Sequence, residues 1–267
     1  MRCDGHIHTP FCPHGSKDSF ALYCERAIEL GIKEISFTEH APLPEGFVDT
    51  TPTCDSGMDL RNLESYITAV RDVQKAYSTD LVVNVGLEVD YIEGFERETT
   101  SFLNTYGPEL DDSILSVHFL KLPMNEYVCI DYSKELYLET VAQLGSADQL
   151  YSLYYATVLK SITTSLGNWK PKRIGHFSLI HKFQHALPSF PDDTEQLLRI
   201  VEAIKDANLE IDLNSAGYAK SFCKEPYPPL HIARIAKSKG IPLIFGSDAH
   251  IARDLHQFSE HFTELEK

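Results

Sequence analysis

Residues 240–250 read Gly-Ile-Pro-Leu-Ile-Phe-Gly-Ser-Asp-Ala-His, and this stretch contains the features that indicate the fold. Gly240 is a typical helix stop, and the apolar run directly after it predicts a buried strand of a parallel sheet. The run ends in Asp248 and His250, whose side chains are common ligands of divalent cations in proteins. Residues 31–40 repeat the arrangement, from a glycine through an apolar run to a Glu-His pair. This order of helix, glycine and strand predicts βα units.

The same alternation extends along the whole chain. The candidate strands are Arg2–His8, Glu34–His40, Leu81–Val89, Ile114–Phe119, Arg173–Phe177, Leu209–Leu213 and Pro242–Ser247. The candidate helices are Ser19–Leu30, Asp59–Tyr77, Ser133–Leu166, Thr194–Asn208 and Pro229–Lys239. Nearly every strand ends in a metal-binding or hydrogen-bonding side chain, and a barrel gathers all its strand ends at one mouth, whereas an open sheet uses one crevice. We therefore predict an α/β fold, a distorted (β/α)7 TIM-like barrel that forms a single domain over residues 1–267.

Composition and charge restrict the class of protein. The 267 residues include 39 acidic and 24 basic side chains, a formal net charge of −15. This balance argues against a general affinity for nucleic acid, which needs Lys and Arg, but a local cation cluster can still attract a small anionic substrate. The sequence has no apolar run of the roughly 18 residues that a membrane helix needs and no secretory signal pattern, so we expect a cytoplasmic protein. The six cysteines form no Cys-x-x-Cys pair, and we interpret them as reduced packing residues.

Histidines and acidic residues are concentrated at the predicted strand ends. Side chains alternate along a strand, so His6 and His8 point the same way and can bind one cation, and His14 follows in a turn rich in Pro and Gly. Glu88 ends an apolar strand in which an unpaired carboxylate would be costly to bury, so it is the candidate bridge between two cations. The further candidates are His40, His118, His176, Asp248 and His250. Each alone has a structural explanation, but together they predict a multinuclear metal site.

These residues, in this order, resemble the PHP (polymerase and histidinol phosphatase) family from residue 6 to residue 250, and they are most similar to its histidinol-phosphatase branch. The stretches that carry the branch similarity are 86–91, 116–120, 174–183, 212–217 and 225–228. The resemblance implies two to three divalent cations of zinc, manganese or iron. The implied ligands are His6, His8, Glu88 and Asp248 for the first; Glu88, His118 and His176 for the second; and His14, His40 and His250 for the third. Glu39 is expected to orient His40 or a neighbouring imidazole from behind.

The resemblance also implies the hydrolysis of L-histidinol phosphate to L-histidinol and phosphate in histidine biosynthesis. We expect a hydroxide between the two cations that share Glu88 to attack phosphorus, with Asp248 orienting it and His250 or a water protonating the leaving group. Three divalent cations leave the cavity with a net positive charge after Glu88, Asp248 and the hydroxide are counted. The candidate phosphate contacts, just past strand ends, are Lys182, Lys220 and Arg253. The candidates to receive the amine and imidazole of histidinol are Asp90, Tyr91 and Glu225.

Three other functions are compatible with part of this pattern. A PHP phosphoesterase for another phosphomonoester or a nucleotide would use the same ligands and would differ only in its substrate pocket. A metal-dependent amidohydrolase also has a barrel and an early His-x-His, but it usually relies on a strand-end lysine and fewer histidines. A non-catalytic PHP-like module would have lost ligands, and none is missing from this sequence. We therefore expect a small-molecule phosphomonoester as the partner, with no nucleic acid and no membrane, and make no prediction of oligomeric state.

Overall fold

The computed structural model describes residues 2–265, and strands and helices alternate along most of this range. The strands are β1 Cys3–Ile7, β2 Glu34–His40, β3 Val82–Asp90, β4 Asp112–Ser116, β5 Phe119–Lys121, β6 Tyr127–Cys129, β7 Arg173–Ile174, β8 Glu210–Asn214 and β9 Leu243–Gly246. The α-helices are α1 Phe20–Glu29, α2 Leu63–Ala76, α3 Glu96–Tyr106, α4 Lys134–Leu144, α5 Ala147–Thr163, α6 Thr194–Asp206 and α7 Leu230–Ser238.

Seven of the described strands form one parallel sheet in the order β1-β2-β3-β4-β7-β8-β9. Its two edges come back together beside the functional residues. The backbone N–H of Asp248 donates to the carbonyl of His6 at 2.8 Å, and that of His8 donates to the carbonyl of Ala249 at 3.0 Å. The sheet is therefore a nearly closed barrel of seven parallel strands, and the prediction of a distorted seven-stranded TIM-like barrel is confirmed.

The helices cover the outside of this barrel with apolar side chains. Phe37 of β2 packs edge-on against Phe20 and Tyr23 of α1, with ring centroids 5.0 and 5.9 Å apart. Tyr66 of α2 donates its hydroxyl to the carbonyls of Phe37 and Gly86, so it fastens the helix to two neighbouring strands. Because the helix layer buries the outer face of the strands, their carboxyl ends are held in fixed positions around the mouth.

The predicted elements differ from the observed ones in three places. The segment Ser133–Leu166 is two helices, because Gly145 adopts a left-handed φ of +96° and Ser146 caps α5 through the N–H of Gln149. The run Ile114–Phe119 is not one strand: β4 ends at Ser116, and β5 and β6 then form a separate antiparallel hairpin. Helix α3 has no predicted counterpart.

The structure also describes the state of the cysteines and the character of the helices. All six cysteines are free thiols, and five of them are partly or fully buried. Within residues 2–265, no helix combines the length and apolar character that a membrane crossing requires.

Candidate active site

The carboxyl ends of the barrel strands surround a cavity of about 470 Å³. The predicted site residues that line it are His14, His40, Glu88, His118, His176, Lys182, Lys220, Asp248 and His250. His6 and His8 lie immediately beneath them and are fully buried. All nine predicted ligand positions are therefore brought to one end of the barrel, although they are spread from residue 6 to residue 250 of the chain.

Three groups of side chains at this mouth have ligand atoms within 4.8 Å of one another. The groups are His6, His8 and Asp248; Glu88, His118 and His176; and His8, Cys12, His40 and His250. The first two correspond to the ligand sets that the sequence predicts for two cations. The third group shares His40 and His250 with the predicted third set. It also contains Cys12, which the sequence predicts to be a packing residue.

Glu88 lies at the centre of the cluster. Its carboxylate oxygens are 3.4 Å from His6 Nε2, 3.1 Å from His40 Nδ1 and 2.9 Å from His176 Nε2. Burial raises the pKa of this carboxyl, but the surrounding imidazoles, chiefly His6 and His118, outweigh burial and hold the pKa well below its usual range. Glu88 is therefore an ionised carboxylate shared between two groups of imidazoles.

A further hydrogen bond to Glu88 depends on Gly175, which directly follows β7. Ser116 donates its hydroxyl to Glu88 Oε1 at 2.6 Å. A Cβ atom at Gly175 would lie only 2.1 Å from this hydroxyl oxygen, so a larger residue there would displace Ser116. Gly175 therefore leaves room for the Ser116 hydroxyl that orients Glu88.

Carboxylates behind the imidazoles fix the orientation of three rings. The pairs, from carboxylate oxygen to ring Nδ1, are Asp212 with His6 at 2.8 Å, Glu39 with His8 at 3.1 Å and Asp90 with His118 at 2.8 Å. When Nδ1 is engaged in this way, Nε2 is presented to the site, as in carboxylate–histidine–metal arrangements. Glu39 also accepts from the backbone of Thr9 and His40, and its pKa is lowered to about 2, against the effect of burial, by its hydrogen bond with His8.

Asp212 is missing from the site that the sequence predicts, and Asp90 is present there in another role. Asp90 was expected to receive the substrate, whereas the structure places it against His118. The available signal is strand periodicity, because Asp90 stands two residues after Glu88 and Asp212 two residues before Asn214. Residues so spaced share a face of the strand with a site residue.

The hydrogen bonding of the buried imidazole nitrogens at the mouth indicates whether these side chains suit metal ions. In the described part of the chain, His6 Nε2, His8 Nε2 and His40 Nδ1 are buried and have no hydrogen-bond partner. Oxygens of Glu88 and Asp248 lie 3.1–3.8 Å from these nitrogens without hydrogen-bond geometry. Nitrogens and oxygens that converge without bonding to each other fit a shared divalent cation, and this donor set suits zinc, manganese or iron.

The three predicted phosphate contacts occupy different positions. Lys182 lines the cavity and pairs with Asp131 at 2.8 Å, and both side chains are largely buried. Lys220 also lines the cavity. Arg253 lies outside the lining, because its side chain is 81% exposed and is 3.5 Å from Asp254.

The expected histidinol contacts are engaged elsewhere. Tyr91 donates to Glu96, and Glu225 accepts hydrogen bonds from His181 and Gln184. The other polar and aromatic side chains that line the cavity are Asp55, Ser56, Asp131, Tyr132, Tyr227, Asp254 and Gln257. They lie outside the α-helices and the main strands, where the sequence has no periodic pattern to mark them.

A parallel barrel with imidazoles and carboxylates converging at its mouth defines the class of metal-dependent hydrolases. The PHP domain model matches residues 4–216 of the chain. The chain belongs to the PHP domain family, as its sequence motifs predict.

Similar proteins agree with this family. The chain is 46% identical over 263 residues to a histidinol-phosphatase of Bacillus subtilis, covering 98% of both proteins. A crystal structure from Listeria monocytogenes, provisionally assigned as a histidinol phosphatase, superimposes with a TM-score of 0.93 at 37% identity and covers 97% of this chain and 99% of that one. A histidinol phosphate phosphatase from Lactococcus lactis, solved with zinc, L-histidinol and phosphate, shares the fold at a TM-score of 0.69 and 18% identity, covering 98% and 93% of the two chains. The chain is a metal-dependent phosphatase.

Proposed function

We propose that this protein is a histidinol-phosphatase that hydrolyses L-histidinol phosphate to L-histidinol and phosphate in histidine biosynthesis. The observation that carries the proposal is 46% identity to the Bacillus subtilis histidinol-phosphatase over 98% of both proteins. The cluster around Glu88 supports the phosphatase chemistry, because phosphate monoesters resist hydrolysis until their negative charge is offset.

We propose two to three divalent cations at the mouth of the barrel. The proposed ligands are His6, His8, Glu88 and Asp248 for one cation; Glu88, His118 and His176 for a second; and His14, His40 and His250 for a third. When bound, the cations would activate water as the nucleophile and neutralise the phosphoryl oxygens. Zinc, manganese and iron all suit this mixture of imidazole and carboxylate.

Asp248 is proposed to orient the attacking water. Its carboxylate is held from two sides, since Oδ1 lies 3.1 Å from His8 Nε2 and Oδ2 accepts from the Asn214 amide at 3.3 Å. Its pKa stays well below the usual range: burial raises it, and His6 and His8 outweigh burial. An ionised carboxylate in a fixed position can accept a hydrogen bond from water beside the substrate and so orient it.

His250 suits a ligand better than a proton donor. Its Nδ1 lies 3.0 Å from the carbonyl oxygen of Asp248, so Nδ1 carries the proton that this hydrogen bond requires. Burial and the neighbouring His8 hold the pKa of His250 well below its ordinary value, so the ring is neutral. Nε2 then offers a lone pair, which binds a cation but has no proton to give, and water at the open mouth is the source of the leaving-group proton.

The remaining features of the proposal concern the substrate and the extent of the domain. Lys182 and Lys220 are proposed phosphate contacts because both line the cavity beside the cluster.

We propose one PHP-type domain over residues 1–267. Strand β9 supports this extent, because it lies beyond the matched residues 4–216 and the residues that follow it bond to the end of β1 and complete the barrel. The absence of a nucleic-acid partner is proposed from the net charge of −15. A cytoplasmic location is proposed because the proposed substrate is an intermediate of amino-acid biosynthesis.

Phosphate release from a panel of substrates tests the proposal. The panel contains L-histidinol phosphate, a nucleoside monophosphate, a sugar phosphate and an amide substrate of amidohydrolases. We expect rapid release from L-histidinol phosphate alone, abolished by a chelator and restored by added zinc or manganese. Preferred turnover of the nucleotide would favour the other PHP phosphoesterase, and turnover of the amide would favour an amidohydrolase.

A further inference from the structure

The loop between β1 and α1 places a buried thiol against the metal-binding cluster. Cys12 is fully buried, and its backbone N–H donates to the carbonyl of Thr9 at 2.9 Å. The Lys17 ammonium donates to the carbonyls of Pro10 and Cys12 at 3.0 and 2.9 Å. Two independent contacts therefore hold the backbone that carries the thiol.

A glycine on the same loop leaves the thiol its space. A Cβ atom at Gly15 would lie 2.9 Å from Cys12 Cβ and 3.2 Å from Cys12 Sγ. Ser16 then bonds back to the cluster, because its N–H donates to the carbonyl of His250 at 2.9 Å. The loop that contains Cys12 is therefore hydrogen-bonded to the segment after β9 that carries Asp248 and His250.

The sulfur shares one ligand group with three imidazoles. Cys12 Sγ and nitrogens of His8, His40 and His250 all lie within 4.8 Å of one another. Two of these residues have a buried nitrogen without a hydrogen-bond partner among residues 2–265, His8 Nε2 and His40 Nδ1. Around zinc, Zn–S and Zn–N bonds of about 2.3 and 2.1 Å separate neighbouring donors by roughly 3.5 Å, so shifts on the order of 1 Å would complete the geometry.

His14 belongs to the same position. Its Nδ1 hydrogen bonds to the carbonyl oxygen of Asp55 at 2.9 Å, and its ring centroid lies 5.1 Å from His40 and 5.2 Å from His250. The ring therefore adjoins His40 and His250, two of the imidazoles that share the ligand group with Cys12. Cys12 therefore stands among the three imidazoles proposed for the third cation.

We propose that the Cys12 thiolate is a fourth ligand of the third cation, beside His14, His40 and His250. This inference rests on the proposed metal site. The thiol proton leaves to solvent when the cation binds, because sulfur coordinates as the thiolate. A thiolate is a soft ligand, so this position selects zinc or cobalt, whereas the pair of cations that shares Glu88 has only nitrogen and oxygen donors and accepts harder ions such as manganese.

Cobalt(II) loading of the full chain tests the proposal without relying on catalysis. A thiolate bound to cobalt gives an intense sulfur-to-metal charge-transfer absorption in the near ultraviolet, which nitrogen and oxygen ligands do not give. We expect this band in the wild-type protein, its loss in Cys12→Ser and Cys12→Ala, and its retention in Cys129→Ser. Cys129 is a matched control, because it is a buried thiol that lines the same cavity and stands outside the ligand groups.

The metal content of the same samples supplies the second measurement. After dialysis, Cys12→Ser should retain about one zinc ion per chain fewer than the wild-type protein, which has four protein ligands at this position. The wild-type spectrum is decisive even if a variant fails to fold: full cobalt occupancy without the charge-transfer band overturns the role of Cys12. Activity in that cobalt protein would show that the phosphatase proposal survives, whereas a wild-type chain that binds no metal would overturn both.

Discussion

Glu88 occupies the one position in the described site that touches both groups of imidazoles. A bridging carboxylate affects two cations at once, so its removal has a larger effect than the loss of a single terminal ligand. We predict that Glu88→Ala lowers kcat/KM by roughly two orders of magnitude or more and lowers the metal content of the purified protein. His231→Ala, an exposed histidine on α7, should behave as wild type. Equal losses in the two variants would mean that the site lies elsewhere.

Asp212 acts on the site through His6 and through Asn214, whose side-chain amide donates to the Asp212 carboxylate at 3.1 Å. The buried carboxylate fixes the ring, and together with Glu88 and Asp248 it overcomes the effect of burial and raises the pKa of His6 to about 10. We predict that Asp212→Ala weakens metal affinity by about 10–100-fold, as is usual for a residue that orients a ligand. Competition with a chelator of known affinity measures this change, with Asp206→Ala on the exposed end of α6 as the control. Unchanged metal affinity in Asp212→Ala would mean that Asp212 does not position a metal ligand.

At the residue scale the sequence predicts the imidazoles and Glu88 better than the groups around them. Glu88 and Asp248 follow apolar runs, where a polar side chain is conspicuous, and His6 belongs to a His-x-His pair. Asp212 has only the strand periodicity as a signal, and an aspartate inside a strand has the same appearance whether it binds a ring, a backbone N–H or a cation. The role of Cys12 depends on contacts with residues 28 and 238 positions away in the sequence, and no local pattern encodes these contacts.

A buried histidine connects the elements that follow β7. His181 lies between two carboxylates, 2.6 Å from Asp193 at the start of α6 and 2.8 Å from Glu225 in the loop before α7. Burial opposes its positive charge, but the two carboxylates outweigh burial and raise the pKa to about 9. The neighbouring Lys182 therefore projects into the cavity from a segment held by ionic contacts on both sides.

This arrangement predicts a pH dependence of stability. A pKa raised from its ordinary 6.5 to about 9 contributes stability that is complete below pH 6.5 and is lost as the pH rises through 9. The contribution is at most about 3 kcal/mol of unfolding free energy. Urea unfolding of the wild type and His181→Gln should show a difference between the proteins at about pH 6 that shrinks at about pH 9.5. A difference that is the same at both values would contradict the ionic role of His181.

The elements that the sequence does not predict have few apolar side chains in a regular spacing. Helix α3 fully buries only Thr99 and Leu103 among the residues described, and most of its side chains are polar, so few apolar positions mark it in the sequence. The hairpin of β5 and β6 directly follows β4, and its apolar residues extend the run of that strand. By contrast, β2, β3 and β9 are predicted nearly to the residue, because each is rich in β-branched, aromatic and other apolar residues and is bounded by turn residues or polar ends.

On the scale of the whole molecule, the metal ions are expected to be part of the folded state. The proposed ligands come from the ends of β1, β2, β3, β9 and neighbouring loops, so a bound cation connects both sides of the barrel closure. Ligands that bind only the folded chain stabilise it by about 3–4 kcal/mol at a hundredfold to thousandfold excess over Kd. We predict two to three metal ions per chain by elemental analysis and a Tm several degrees lower after chelation, restored by zinc. An identical Tm with chelator and with zinc would mean that bound metal does not stabilise the folded chain.

The specificity of the whole site is the central claim. The phosphoryl chemistry is the same for every phosphomonoester, so a preference must come from binding the amine and imidazole of the substrate at the rim of the cavity. The most direct measurement is the ratio of kcat/KM for L-histidinol phosphate to that for p-nitrophenyl phosphate, on the same metal-loaded protein. We predict a ratio of about a hundred or more, which corresponds to about 3 kcal/mol of transition-state binding. Equal values of kcat/KM for the two substrates would contradict the assignment as a histidinol-phosphatase.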